Sequence, residues 1–142
     1  IINKLIVKYV LDNPINTVAF TSLGQLLYLS AMQFMDGVIG NSSSGLLEAP
    51  SFKIASVNIG DRQKGRIRAE SVIDCLPNKR SISEALKTVY SDEFKRVVNA
   101  GTNPYDSGNT SKEIVKKIKS ADLMNILKKS FYDIGSSILK EI

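Results

Sequence analysis

Apolar residues at Ile1, Ile2, Leu5, Ile6, Tyr9 and Val10 recur every three to four positions, which predicts an opening helix with one apolar stripe. Asp12-Asn13-Pro14 then predicts a turn, because Asn and Asp tolerate turn geometry and proline disfavours helix at the residue before it. The short β-branched run Thr17-Val18-Ala19-Phe20 is expected to be a strand. Leu23, Leu26, Leu27, Ser30 and Phe34 return to helical spacing.

Gly37-Val38-Ile39-Gly40 and Ala55-Ser56-Val57-Asn58-Ile59 read as buried strands, with Ser71-Val72-Ile73-Asp74-Cys75 a shorter third. Between the first two lies polar Asn41-Ser42-Ser43-Ser44, closed by Gly45 and followed by a helical turn or two from Leu46 to Ser51. Ser81 with Glu84 three residues later has the form of a capping box, opening a helix that carries Ile82, Leu86 and Val89. Gly101 to Gly108 is a loop, and from about Ser111 the chain reads as a helical tail with breaks. Helix alternating with strand predicts an α/β fold around a parallel sheet, Rossmann-like in kind.

In open parallel sheets, ligands lie beyond the carboxyl ends of the strands. Gly40-Asn41-Ser42-Ser43-Ser44-Gly45 occupies that place. Its hydroxyls, the amides at the start of the next helix, and its glycines suit a phosphate. Glu48, one helical turn after Ser44, has a carboxylate able to accept both hydrogen bonds of a vicinal diol such as ribose. A serine-rich turn also simply caps helices, and a glutamate there also simply favours the helix dipole. After the second strand comes Asp61-Arg62-Gln63-Lys64-Gly65-Arg66-Ile67-Arg68, four cations in one loop. Arginine's planar fork suits a diphosphate, while a solvated loop is the alternative.

The chain has 142 residues and a formal charge of +5, which permits an anionic partner. Part of that excess sits on Lys112, Lys116, Lys117, Lys119, Lys128 and Lys129, which share amphipathic helical segments and read as a solvated face. The basic loop has no interleaved aromatic residue and the chain has no tryptophan, so base stacking and a nucleic-acid partner are not expected. With one cysteine, Cys75, and no histidine, neither an internal disulfide nor a zinc or Cys-His site is expected. No apolar run approaches membrane-spanning length and the start lacks a secretory layout, so the expectation is a cytoplasmic chain without a membrane partner.

GNSSSGLLEAPSF followed by VNIGDRQKGRIRAESVI resembles the signature region of hydrolysing UDP-N-acetylglucosamine 2-epimerases, enzymes of sialic-acid biosynthesis. The likeness extends more loosely from Thr17 through NPYDSGNTSKEIVKKI. It implies a GT-B enzyme of two Rossmann-like domains with the active site between them, of which residues 1–142 would be the C-terminal nucleotide-binding part and 111–142 its helical tail. By this resemblance Ser42 and Ser43 contact the diphosphate of a UDP-sugar, Ser44 and Gly45 shape the turn, and Glu48 holds the ribose. Arg62 faces the diphosphate or sugar, and Arg66 matches a second basic position.

The family's reaction eliminates UDP to leave a 2-acetamidoglucal and then adds water to give N-acetylmannosamine, without a metal or redox cofactor. Its acid-base groups come largely from the other domain and from a histidine that this sequence lacks, so the catalytic residues are unknown here and the chain alone is expected to be inactive. The rivals are a non-hydrolysing or other UDP-amino-sugar epimerase, and a non-catalytic nucleotide- or nucleic-acid-binding module. Leu123, Ile126, Leu127, Phe131, Ile134 and Ile138 form a further apolar stripe, which predicts self-association through the segment after Ala121.

Overall fold

A three-stranded, all-parallel sheet organises the chain, with β1 (Gly37–Gly40), β2 (Ala55–Ile59) and β3 (Val72–Cys75) side by side in sequence order. The computed structural model describes residues 1–106 and 108–124. Residues 1–106 make one compact unit and those from 107 onward a second. The first holds α1 (Ile2–Asp12), α2 (Gly24–Met32), the sheet, the single turn α3 (Ser44–Leu47), a 3-10 turn at Ala49–Phe52, α4 (Lys79–Val89) and α5 (Asp92–Ala100). The described part of the second holds α6 (Thr110–Ser120).

Both ladders run in one register each, Gly37 beside Ala55 and Ser56 beside Val72. The central strand β2 is buried through Asn58, as expected where both faces of a parallel sheet are covered. Alternation sends Ala55, Val57 and Ile59 to one face, where Ala85 and Val89 of α4 and Val98 of α5 complete a core with Ile73 and Phe94. Met32, Ala49 and Ile54 form a second core with Tyr28, Leu29, Val38 and Phe52. Val38 pairs with Ser56, so this core lies on the opposite face from Val57. Two apolar layers around one sheet make the fold α/β and Rossmann-like.

The expected strand at Thr17-Val18-Ala19-Phe20 is absent; these residues have no regular structure. A β-branched run becomes a strand only where a ladder takes up its backbone groups, and none of the three strands pairs with it. The helix expected to open at Ser81 opens instead at Lys79, capped by Asn78, whose side chain accepts from the Ser81 amide at 2.9 Å. Ser81 Oγ turns back to accept from the Leu76 amide at 3.0 Å, and Glu84 pairs with Arg80 rather than with the backbone. Asn78 wins because its extended backbone (φ −137°, ψ 154°) already has N-cap geometry.

Among the described residues, no helix is long and apolar enough to cross a membrane. Of the apolar stripe expected to drive self-association, only Leu123 is described, and it is exposed. The remainder of that stripe lies outside the described residues, as do Lys128 and Lys129.

Candidate functional site

The carboxyl ends of β1 and β2 deliver the serine turn and the arginine loop to the same edge of the sheet. Gly40 leaves β1 with φ 153°, a conformation L side chains rarely adopt, and so starts the turn. Gly45 lets the turn approach β2, because any Cβ there would collide with Ser56 Oγ. Ser42 is exposed, Ser43 and Ser44 are half-buried, and Gly45 and Leu46 are buried.

Hydrogen bonding inside the turn leaves donors over. The carbonyl of Ser42 accepts from the Gly45 amide at 3.3 Å, and that of Ser43 accepts from Leu46 and Leu47 at 3.0 and 2.9 Å. The Ser43 hydroxyl makes no capping bond to the helix it precedes. Among the described residues, the amides of Ser42 and Ser43 have no partner either. Ser44 is different: its hydroxyl lies 2.7 Å from that of Tyr28 on α2, which holds it in place. Because α3 is a single turn, its dipole is small, and whatever attraction this turn has for anions resides in these individual donors.

Glu48 stands between α3 and the 3-10 turn, half-buried. Its carboxylate accepts no hydrogen bond among the described residues, and it borders an open cavity of about 720 Å³ shared with Phe20, Ser22, Leu23, Gly24, Gln25 and Tyr28. The cavity thus combines a free acceptor with apolar and aromatic walls.

On the β2 side, Arg62 is exposed and places Nη1 3.5 Å from the Asn41 side-chain oxygen, at the outer limit of a hydrogen bond. Its neighbour Gln63 is buried and donates Nε2 to the Asn41 carbonyl at 2.8 Å. The two loops are therefore joined through Asn41. Arg66 is exposed and its guanidinium has no hydrogen bond or ion pair among the described residues. Arg68 is committed elsewhere, with Nε 2.7 Å from Asp74 Oδ2 and its other nitrogens donating to the carbonyls of Arg66 and Gln63. Of the four cations in the loop, three remain for a ligand: Arg62, Lys64 and Arg66.

Residues 2–119 match the family profile described as UDP-N-acetylglucosamine 2-epimerase. The chain belongs to this family. It is 44% identical over 108 residues to the polysialic acid biosynthesis protein P7 of Escherichia coli, an overlap of 75% of this chain and 28% of that protein. It is 40% identical over 135 residues to the GDP/UDP-N,N'-diacetylbacillosamine 2-epimerase (hydrolyzing) of Campylobacter jejuni, covering 94% of this chain and 35% of that one. A UDP-N,N'-diacetylbacillosamine 2-epimerase (hydrolyzing) of Legionella pneumophila is 29% identical over 123 residues. The chain thus spans about a third of the length of the curated relatives it matches.

In this 2-epimerase family chain, several residues that matter to the site's shape escape a motif reading. Asn103 donates to the Leu47 carbonyl at 2.9 Å and to Ser51 Oγ at 2.7 Å, while the Tyr105 hydroxyl donates to the Ile67 carbonyl at 2.9 Å. One distant segment therefore braces both the helical turns that follow the serines and the arginine loop. Asn41, Gln63 and Tyr28 act within the site itself, and only contact across 16 to 22 residues reveals them. No cluster of three His, Cys, Asp or Glu side chains able to hold a metal occurs among the described residues.

Proposed function

We propose that this chain is the UDP-binding part of a hydrolysing UDP-N-acetylglucosamine 2-epimerase, the C-terminal nucleotide-binding domain of a GT-B enzyme that releases UDP and N-acetylmannosamine. The observation that carries the reading is the joining of two donor-bearing loops through Asn41, with the unpaired carboxylate of Glu48 on a cavity whose wall, Tyr28, also meets Ser44 of the turn. Ser42, Ser43 and Arg62 receive the diphosphate, Ser44 and Gly45 set the turn, Glu48 holds the ribose hydroxyls, and Arg66 adds positive charge.

In the reaction, the bond between the sugar C1 and the diphosphate oxygen breaks with its electron pair passing to UDP, while a base removes the proton on C2. Water then adds across the resulting double bond. Negative charge grows on the diphosphate as it leaves, and prearranged hydroxyl, amide and guanidinium donors lower the energy of that transition state more than that of the bound substrate. Without histidine, this chain's contribution is to hold and discharge the leaving group, and proton transfer at C2 falls to residues beyond it. A second reading, in which the sugar is a diacetamido sugar on UDP or GDP, is favoured by the name of the Campylobacter jejuni relative, which overlaps 94% of this chain.

Calorimetric titration with UDP tests the assignment. Ser43→Ala and Arg62→Ala are each expected to weaken binding by about 1 to 3 kcal/mol, the range for hydrogen bonds to a charged group. Equal affinity in wild type and both variants overturns it. GDP and inorganic pyrophosphate, run alongside, report whether the nucleobase or only the diphosphate is recognised.

A further inference from the structure

We propose that Gln63 is a positioning residue that aims Arg62 at the diphosphate by fastening the arginine loop to the serine turn. The proposal rests on the reading that Arg62 receives that diphosphate. Gln63 is 3% exposed although it lies in a polar loop between the exposed Arg62 and Lys64. Its Nε2 donates to the Asn41 carbonyl at 2.8 Å, and its Oε1 has no partner, so a single hydrogen bond fixes the end of the side chain. A carbonyl accepts only from a donor, which dictates the orientation of the carboxamide.

Asn41 is held from two sides. Gln63 takes its backbone oxygen while Arg62 Nη1 stands 3.5 Å from its side-chain oxygen, so the inward turn of one residue leaves its neighbour exposed beside Asn41, the residue that leads into the serines. The loop is secured at its far side too. The Gln63 carbonyl accepts from Arg68 Nη2 at 3.2 Å, Arg68 Nε lies 2.7 Å from Asp74 Oδ2, and Asp74 Oδ1 accepts from Asn58 Nδ2 at 2.6 Å. This series runs from β3 and β2 to the exit of β1, and Gln63 is the member that spans the gap between loops. This part-buried hydrogen bond fixes direction, since it is the one partner the buried Gln63 carboxamide has among the described residues and losing it would leave that group's donors unpaired.

Gln63→Met keeps the length of the side chain and removes the donor. It is expected to raise the Kd for UDP about tenfold in the otherwise wild-type chain, and by less than about twofold in the Arg62→Ala background, because a residue acting through Arg62 has nothing left to aim. Unchanged affinity, or an equal loss in both backgrounds, overturns the proposal. Loop fixation is also read without ligand: at an unchanged thermal midpoint, Gln63→Met is expected to speed tryptic cleavage after Arg62, Lys64 and Arg66 about threefold or more. An unchanged cleavage rate overturns the proposal as well. Failure of UDP to bind the wild-type chain while cleavage responds overturns the assignment of the ligand and leaves the loop clamp standing. Should Gln63→Met not fold, hydrogen exchange at the wild-type Gln63 carboxamide decides: slow exchange supports the clamp, and the rate of free glutamine overturns it.

Discussion

The hydroxyl oxygens of Tyr28 and Ser44 lie 2.7 Å apart, tying α2 to the first residue of α3 across 16 residues of sequence. Tyr28 also borders the cavity that holds Glu48, so one side chain braces the turn and walls the depression beside it. Tyr28→Phe keeps the ring and removes the tie. It is expected to lower stability by about 0.5 to 1.5 kcal/mol, the usual net value of one hydrogen bond, measured by urea denaturation. A loss indistinguishable from zero would mean that the two hydroxyls prefer water.

Gly45 packs so close to β2 that the Cβ of alanine would meet Ser56 Oγ, itself on a residue only 2% exposed. Gly45→Ala is therefore expected to destabilise the chain by about 1 to 3 kcal/mol, as overpacking does. Ser56→Ala removes the colliding oxygen, so the cost of Gly45→Ala in that background is expected to fall by half or more. Thermal or urea unfolding of the four proteins in the cycle measures both quantities.

Asn78 caps α4 by accepting from the Ser81 amide at 2.9 Å. Asn78→Ala is expected to cost about 1 kcal/mol, whereas Asn78→Asp and Asn78→Ser retain most of the stability because both side chains accept the same bond. No loss in Asn78→Ala would show that the Leu76 to Ser81 bond alone holds this helix start.

Burial, and then the neighbouring Asp74 carboxylate, raise the Cys75 thiol above its ordinary pKa. The thiolate is the reactive form, so alkylation by iodoacetamide at pH 8 is expected to run severalfold slower than for glutathione. The stability this shift contributes is present below the unfolded-state pKa and is lost as pH rises through the higher folded-state value. Alkylation at the rate of a free thiol would show Cys75 to be unshielded.

The parallel sheet was legible because β1 and β2 carry short apolar runs bounded by glycine and polar turns, and each run also finds a ladder partner. Thr17 to Phe20 carry the same local signal and no ladder, so composition pointed to a strand that pairing did not support. Helix α5 went unread although its signals are present, with Ser91 accepting from the Phe94 amide at 3.2 Å and Asp92 and Glu93 in the first turn. Within the site, the serine turn and Arg62 announce themselves by residue type. Arg68 also looked free for a ligand, and only its 2.7 Å approach to Asp74 shows that it is already engaged. The clamp of Gln63 on Asn41 depends on two loops meeting in space, which no local pattern encodes.

Gly37 pairs with Ala55 and Ser56 with Val72, so each ladder closes a stretch of fewer than twenty residues. Parallel pairing is ordinarily slow to nucleate, because a long crossover must be ordered before the first bond between strands rewards it. Here the two crossovers are short, and the entropy lost in closing them is correspondingly modest. The segments being closed are the serine turn and the arginine loop themselves. The pairing that seats β2 between its neighbours is therefore also what brings Asn41 and Gln63, each just past a strand end, within reach of one another.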